Sequence, residues 1–434
     1  MFSLAFLFFI GVGQFTSASL QQTLTATTQS SSRVRAGANS TLINDTDYWD
    51  YDDFVPFRED RHDTFDWKLL KEVLLADSSN IIVSPFSVKI LLALLSEGAG
   101  AESITKKELS AVLPNIRTPT LARELYRRIL TSLNEPNKNY ELHVGTKIFT
   151  DEFVEPRQRF ASIAEAHYGT TIDRLDFKNA RGASEHINRW CSNLTRGHIP
   201  ELISKDDLDS AVMVMTNAIF FDGVWRKPFA EETSFEFTFY RTPHEEIRTT
   251  YMTQQGNFYF FESKKMNAKI IRLPYKGKKF SMTIILPGAK GGLDELVREI
   301  EGDGLKRLQW LMEEVQVKVT IPRFHFDRTT HMKEVLEKLG IQEVFTLNAS
   351  LPGLARGAGL NNQLKVSDII QKCGLIVNEK GTVAYGATDV VITNKFGDTT
   401  VHEFMANRPF MFIIEDETTG TIIFAGKVTD PNKN

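Results

Sequence analysis

Side chains able to do covalent or metal chemistry are thinly spread through this chain of 434 residues. Its nine histidines are scattered, and the nearest approach to a ligand spacing, His325 with His331, reads as two surface residues. There is no Gly-x-Ser-x-Gly elbow, no His-Glu-x-x-His, no Cys-x-x-Cys and no phosphate-cradling glycine loop. Two cysteines, Cys191 and Cys373, do not make a disulfide framework at this length and read as partly buried small hydrophobes. The expectation is therefore no enzyme, no metal and no cofactor. What stands out instead is a bond that another protein could cut. Lys395 is the only basic residue between Gly381 and His402, and it sits in Asn394-Lys395-Phe396-Gly397-Asp398, which reads as an exposed turn. A lysine offered in this way suits the acidic primary pocket of a trypsin-like protease. Lys395–Phe396 is thus a candidate reactive bond.

The residues leading to that bond form a latent strand. A pivot glycine, Gly381, is followed by small or β-branched residues with no proline to forbid a sheet ladder. Val390, Val391, Ile392 and Thr393 are strand formers. With alternating faces, Thr382, Ala384, Gly386, Thr388, Val390 and Ile392 fall on one side, small then apolar and uncharged. Val383, Tyr385, Ala387, Asp389, Val391 and Thr393 fall on the other, which carries the bulk and the charge. One face suits a core and the other suits water.

Phe404-Met-Ala-Asn-Arg-Pro-Phe410-Met-Phe-Ile-Ile414 resembles, position for position, the C-terminal signature of the serpins. Glu379-Lys-Gly-Thr382, with Ala384, Gly386 and Ala387, resembles the hinge of serpins that inhibit proteases, and the resemblance runs from about Asp66 to the C-terminus. It implies an α+β serpin fold, with three β-sheets, surrounding helices and an exposed reactive loop. It also implies a suicide-substrate mechanism. A serine protease attacks Lys395–Phe396 and forms an acyl-enzyme on the Lys395 carbonyl. The freed loop then enters the main sheet and drags the tethered protease by about 50 Å, for about 15 residues at ~3.3 Å each. The family spacing counted from Glu379 also lands on Lys395. The Asn394-Lys395-Phe396-Gly397 string looks like the loops of insect haemolymph serpins that restrain clip-domain proteases in the prophenoloxidase (melanization) and Toll cascades of innate immunity. Two alternatives stay open. A non-inhibitory serpin (carrier, chaperone or storage protein) usually carries bulky, charged or proline residues on the inserting face of its hinge, and this loop has none there. A chymotrypsin-like target would cut after Phe396.

Other elements must hold that apparatus. Phe65, Leu69 and Val73, with Leu70 and Leu74, give a helix with Lys68, Lys71 and Glu72 outward. Asn80-Ile-Ile-Val-Ser84-Pro85-Phe86-Ser87 reads as a short strand entering a nearly all-apolar helix, Val88 to Leu95, stopped by Gly98 and Gly100. The resemblance assigns Asn80, Ser84 and Ser87 to the shutter, a polar cluster beneath the point where the main sheet parts. Thr216-Asn217-Ala-Ile-Phe-Phe-Asp-Gly-Val-Trp225 is a second family string, with Asn217 as the shutter asparagine and Trp225 as the aromatic at the breach, where the loop first enters. Gln371 stands where serpins usually have a histidine. It can donate and accept, and so bridge to Asn217, but it cannot titrate. Leu121, Leu125 and Ile129 line one face of a further helix, whose Arg123, Arg127 and Arg128 lie in the region where the family often binds heparin-like glycans. Helix-surface ion pairs to Glu124 explain these arginines equally well. Val315 to Ile321 alternates as a strand, and Lys333 to Phe345 reads as an amphipathic helix ending near Gly340.

The formal net charge of −4 argues against wholesale nucleic-acid binding. Phe2 to Val12 is an apolar run ending near small residues, too short for a membrane anchor, and it reads as a secretory signal over residues 1–18. Residues 19–63, rich in Gln, Ser and Thr and then in aspartate, read as a disordered acidic extension. Residues 64–434 read as one serpin domain. The expected protein is extracellular and monomeric, with no membrane partner, and glycosylation sequons stand at Asn39, Asn44, Asn193 and Asn348. Asn193, after Trp190 and Cys191, reads as part of a packed segment.

Overall fold

A computed structural model describes residues 64–113, 118–300, 309–356, 364–380 and 400–433. The chain divides into two units, Met1–Tyr51 and Asp52–Asn434, and the architecture below belongs to the second. The leader, the acidic extension, Asn39, Asn44 and the loop residues Gly381, Thr382, Ala384, Gly386, Ala387, Lys395 and Phe396 lie outside the described residues.

Helix α1 (Thr64–Ala76) buries Phe65, Leu69, Leu70, Val73 and Leu74, as its period dictates. Strand β1 (Ile81–Val83) leads into α2 (Pro85–Gly98), whose N-cap is Ser84: its hydroxyl accepts from the Ser87 amide, and Pro85 supplies a preset φ at the first position. α2 therefore begins earlier than its apolar run, and nearly every side chain it carries is buried. That includes Lys89, whose ammonium lies 2.8 Å from the Asp66 carboxylate, also buried. Removing one partner of such a pair costs about 3–5 kcal/mol. Helices α3 (Ile104–Val112) and α4 (Pro119–Leu133) follow. The buried stripe of α4 is Ala122, Tyr126, Ile129 and Leu133, while Leu121 is 67% exposed. Leu121 lies one residue, or 100° of arc, off that stripe, so the expected Leu121–Leu125–Ile129 face is corrected.

The chain continues through β2 (Tyr140–Asp151), β3 (Glu155–Pro156), α5 (Gln158–Tyr168), β4 (Thr170–Leu175), α6 (Ala180–Leu194) and β5 (Met213–Gly223). Next come β6 (Phe235–Thr242), β7 (Glu245–Ser263), β8 (Ala268–Pro274), β9 (Phe280–Pro287) and α7 (Leu293–Glu299). β10 (Glu313–Pro322), β11 (Phe324–His331) and α8 (Lys333–Lys338) follow, then β12 (Ala355–Arg356), β13 (Asp368–Val377), β14 (His402–Met405), β15 (Phe410–Asp416) and β16 (Thr421–Val428). α8 is shorter than its amphipathic pattern: Gly340, at φ +96, ends the turn, and Glu343–Phe345 forms a separate 3-10 turn.

The strands form three sheets, in keeping with the α+β expectation. A nine-stranded sheet runs β1-β16-β15-β9-β8-β7-β10-β14, with β6 added on β7; a two-stranded one joins β12 and β3. The third, five-stranded in the order β11-β13-β5-β2-β4, matters most here. β11 with β13, and β5 with β2, are antiparallel, but β13 and β5 run parallel down the middle. Their ladder is unbroken from Asp368 opposite Val214 to Ile376 opposite Asp222. α2 and α1 pack on the inner side with the main core, and α6 covers the outer face through a second apolar cluster containing Phe149, Ile187, Cys191, Ile199, Phe220 and Ile370.

Candidate functional site

The β5–β13 seam carries a row of polar groups on its inner face, where neighbouring positions are apolar. In the register Gln371 stands opposite Asn217, and Asn217 opposite Thr146, so three side chains line up across β13, β5 and β2. The Gln371 Oε1 accepts from the Ser84 amide at 2.7 Å, and its Nε2 donates to the Ser84 carbonyl at 3.1 Å and to the Asn217 Oδ1 at 3.4 Å. The Asn217 Nδ2 donates to the Gly145 carbonyl at 2.9 Å and to the Thr146 hydroxyl at 3.2 Å. Ser84 and Ser87 share a hydroxyl bond of 3.0 Å at the start of α2. All four residues of this core, Ser84, Ser87, Asn217 and Gln371, are fully buried. The network ties α2 to both central strands. Since each buried polar atom left without a partner costs about 1–3 kcal/mol, the cluster holds this point of the seam closed.

A second cluster sits where β13 ends. Trp225, buried just past the end of β5, stacks on Tyr275 with ring centroids 4.3 Å apart and an interplanar angle of 11°. Its indole donates to the Asn378 carbonyl at 2.9 Å, and so holds the backbone one residue before Glu379. Glu379 is buried: its carboxylate accepts from the Ser234 hydroxyl at 2.6 Å and from the Arg323 guanidinium, while its carbonyl accepts from the Phe229 amide at 3.0 Å. Burial pushes this carboxyl up, but the bonds from Arg323 and Ser234 outweigh it and hold the group below the ordinary value. Lys380, next along, pairs with Glu231 at 3.2 Å on the surface. The last described residues before the loop are thus latched to β7's neighbours and to Arg323, which follows β10.

A closed parallel pair in the middle of an otherwise covered sheet, with a latched chain leaving its end, is the geometry that the serpin signature demands, and the whole-chain comparison agrees. A family model described as "Serpin (serine protease inhibitor)" matches residues 60–431. The chain belongs to the serpin family. It is 40% identical over 381 residues to Serine protease inhibitor 2 of Anopheles gambiae, covering 87% of this chain and 93% of that one. Antithrombin-III of Ovis aries is 32% identical, covering 83% of this chain and 79% of that protein. Among solved structures, Serpin48 of the insect Tenebrio molitor superposes with a TM-score of 0.75 at 30% identity, covering 85% of this chain and 96% of that one. Uncleaved ovalbumin gives 0.76 at 26% identity, over 85% and 98%.

Within this serpin, the remaining sequence-assigned residues fall as follows. Asn80 does not join the Ser84–Gln371–Asn217 network. Its amide nitrogen donates to the Asp430 and Lys433 carbonyls, and its oxygen accepts from the Thr429 and Asp430 amides, so it pins the segment after β16. Arg123 is held by Glu97 at 2.6 Å, which also accepts from the Tyr168 hydroxyl, and Arg127 pairs with Glu124 at 2.7 Å. Asn193 is exposed in the last turn of α6, although Cys191 and Thr195 beside it are buried; a helix end exposes alternate sides of a packed segment. Asn348 is exposed as well. Cys191 and Cys373 are free, and burial pushes the Cys191 thiol up to about 12 and the Cys373 thiol well above its ordinary value. His325 and His331 are both exposed. Sequence reasoning missed Thr146, Ser234 and Arg323, because each acts across a long range on a residue that was itself recognised. Among the described residues no cluster of His, Cys, Asp and Glu is arranged to hold a metal, and no helix is long and apolar enough to cross a membrane.

Proposed function

We propose that this protein is a secreted, extracellular, monomeric suicide-substrate inhibitor of a trypsin-like serine protease, cleaved at Lys395–Phe396. The parallel β5–β13 pair carries this reading. A chain that leaves the end of β13 and folds back runs antiparallel to β13, and so antiparallel to β5 as well. Insertion between them exchanges one parallel ladder for two antiparallel ones, the more favourable pairing. The Thr382–Thr393 segment offers an uncharged inner face for that slot, and burying Val390 and Ile392 contributes about 1.5–3 kcal/mol each. In the chemical step the protease serine oxygen bonds to the Lys395 carbonyl carbon, and the Phe396 amine leaves with a proton. The ester tether then travels with the inserting strand, and distortion of the protease's oxyanion hole and triad stalls deacylation. The closed sheet is accordingly a kinetically trapped state.

The short Asn394–Gly397 string and the insect relatives support a clip-domain protease of an innate-immune, melanization-type cascade as the natural target. A glycan-binding role for α4 has less behind it, since Arg123 and Arg127 already hold carboxylates. The test is incubation with trypsin followed by a denaturing gel. A complex that survives denaturation is expected, together with a cleaved form that melts far above the intact one. Cleavage without complex would leave the carrier or storage reading standing, and a complex whose new amino terminus follows Phe396 would assign a chymotrypsin-like target.

A further inference from the structure

Asn193 and Asn348 each head an Asn-x-Ser/Thr triplet, the acceptor sequence for N-linked sugars. Both are exposed, and neither side chain makes a hydrogen bond among the described residues. That matters most at Asn193, in the last turn of α6. Asparagine is among the poorer helix formers, so the helix itself does not favour it there. Nor does packing: the buried stripe of α6 is Ala183, Ser184, Ile187 and Cys191. Nothing in the described fold requires an amide at position 193.

Thr195, the hydroxyl residue of the same triplet, is fully buried. Its Oγ1 donates to the Cys191 carbonyl at 2.9 Å and accepts from the Ile199 amide at 3.0 Å. Leu194 between them is seated against Gly145 of β2, which leaves no room there for a side chain. The end of α6 sets positions 193 and 195 about 200° apart around its axis, one outward and one inward. An oligosaccharyltransferase must hold the acceptor amide and the hydroxyl together, so the folded helix hides half of what the enzyme reads. The triplet at Asn348 differs. It follows the 3-10 turn Glu343–Phe345 and lies outside any helix. Its backbone is pinned, since the Ser350 amide donates to the Thr105 hydroxyl at 3.0 Å and the Ser350 carbonyl accepts from the Gly100 amide at 3.1 Å. The Ser350 hydroxyl is committed to nothing among the described residues, and Ser350 is only half-buried.

We propose that Asn193 and Asn348 are both acceptors of N-linked glycans, and that folding of α6 closes the first to the transferase while the second stays open. This rests on the secretion reading above, because the transferase and its sugar donor meet the chain on the lumenal side of the secretory membrane. In the step, the asparagine Nδ2 bonds to the anomeric carbon of a lipid-linked oligosaccharide. The bond from that carbon to the lipid pyrophosphate breaks, the pyrophosphate leaves with the electron pair, and the amide proton passes to a base of the transferase. The Asn193 sugar is therefore added before Thr195 is drawn under α6. A copy that folds first stays bare at 193 and is still modified at 348. Once attached, either sugar stands in water and disturbs no buried contact of its asparagine.

The test has two arms. The full chain with its own leader is made in insect cells, and protein from the medium is treated with peptide N-glycosidase in heavy-oxygen water. That enzyme turns each glycan-bearing asparagine into a labelled aspartate, and peptide mass spectrometry should find the label at 193 and at 348. In the second arm, unglycosylated protein from the bacterial cytosol is given to an oligosaccharyltransferase with a lipid-linked donor. It is offered folded, and again after denaturation and tryptic digestion, which frees residues 190–196 as one peptide. Asn348 should accept sugar in the folded protein, whereas Asn193 should react about tenfold or more slowly there than in the digest. A secreted protein with no label at 193, or a digest that takes no sugar there, overturns that acceptor. Equal rates at Asn193 in folded protein and digest overturn its closure by α6, and a folded protein that takes no sugar at Asn348 overturns the open site. A chain that never reaches the medium overturns the secretion reading, and the second arm then still decides both acceptors.

Discussion

The Gln371 Nε2 lies 3.4 Å from the Asn217 Oδ1, across the parallel join of β13 and β5. The contact is the middle link of a chain from Ser84 to Thr146, so Gln371 both closes the seam and ties it to α2. Gln371→Leu would leave the Ser84 amide and carbonyl and the Asn217 oxygen without this partner. Urea unfolding should show a loss of about 3 kcal/mol. A loss below about 1 kcal/mol would mean that the network is incidental to closure.

If Lys395–Phe396 is the reactive bond as proposed, Lys395→Ala should abolish inhibition of trypsin while leaving the melting temperature unchanged. The readout is residual trypsin activity together with thermal unfolding. Undiminished inhibition would place the reactive bond elsewhere.

Thr382→Arg puts a charge on the first inward position of the latent strand. Burying it without a partner costs several kcal/mol in the inserted state and nothing where the side chain stays in water. The variant should be cut at Lys395 and released, turning an inhibitor into a substrate with ordinary native stability. Gel-stable complex and cleaved product, measured together, decide the matter; stoichiometric trapping by the variant would sink the insertion mechanism as drawn.

Glu379 supplies a pH prediction at the latch. Its folded value lies below the ordinary carboxylate value of 4.5, so its contribution is complete above that value and lost as pH falls through the depressed one. Glu379→Gln should cost about 1–3 kcal/mol at pH 7. The gap between wild type and variant should narrow steadily as the solution is taken below pH 4.5. Parallel denaturation curves at pH 7 and pH 3.5 check this, and a gap that does not shrink would remove Arg323 and Ser234 as the cause.

Much of this serpin is legible in its residues, and the parts that are not share a reason. α1 follows from periodicity because Phe65, Leu69, Leu70, Val73 and Leu74 are buried while Lys68 is exposed, and β10 follows from the alternation of buried Val317 and Val319 about exposed Lys318. The edges of α2 and α8 do not, since caps are set by single residues: Ser84 extends one helix backwards, and Gly340 cuts the other short. α4 misled because Leu121, an apolar residue, points into water, whereas Tyr126 carries the buried contact. At the site, types were readable and partners were not. Gln371 and Asn217 lie 154 residues apart, and only the parallel register sets them side by side. Asn80 has the right type and neighbourhood for the shutter, yet its side-chain hydrogen bonds go to residues 429–433.

Trp225 gives the molecule an optical gauge. Its indole N–H is committed to the carbonyl of Asn378, and its ring plane is fixed against Tyr275, so its surroundings are set by the backbone that leads into Glu379. A hinge that swings into the sheet changes the polarity and the hydrogen bond that this indole feels, and emission wavelength responds to both. The other tryptophans, at 49, 67, 190 and 310, can be replaced by phenylalanine to leave one emitter. The hinge would then report its own motion in real time, with no dye attached and no protease modified.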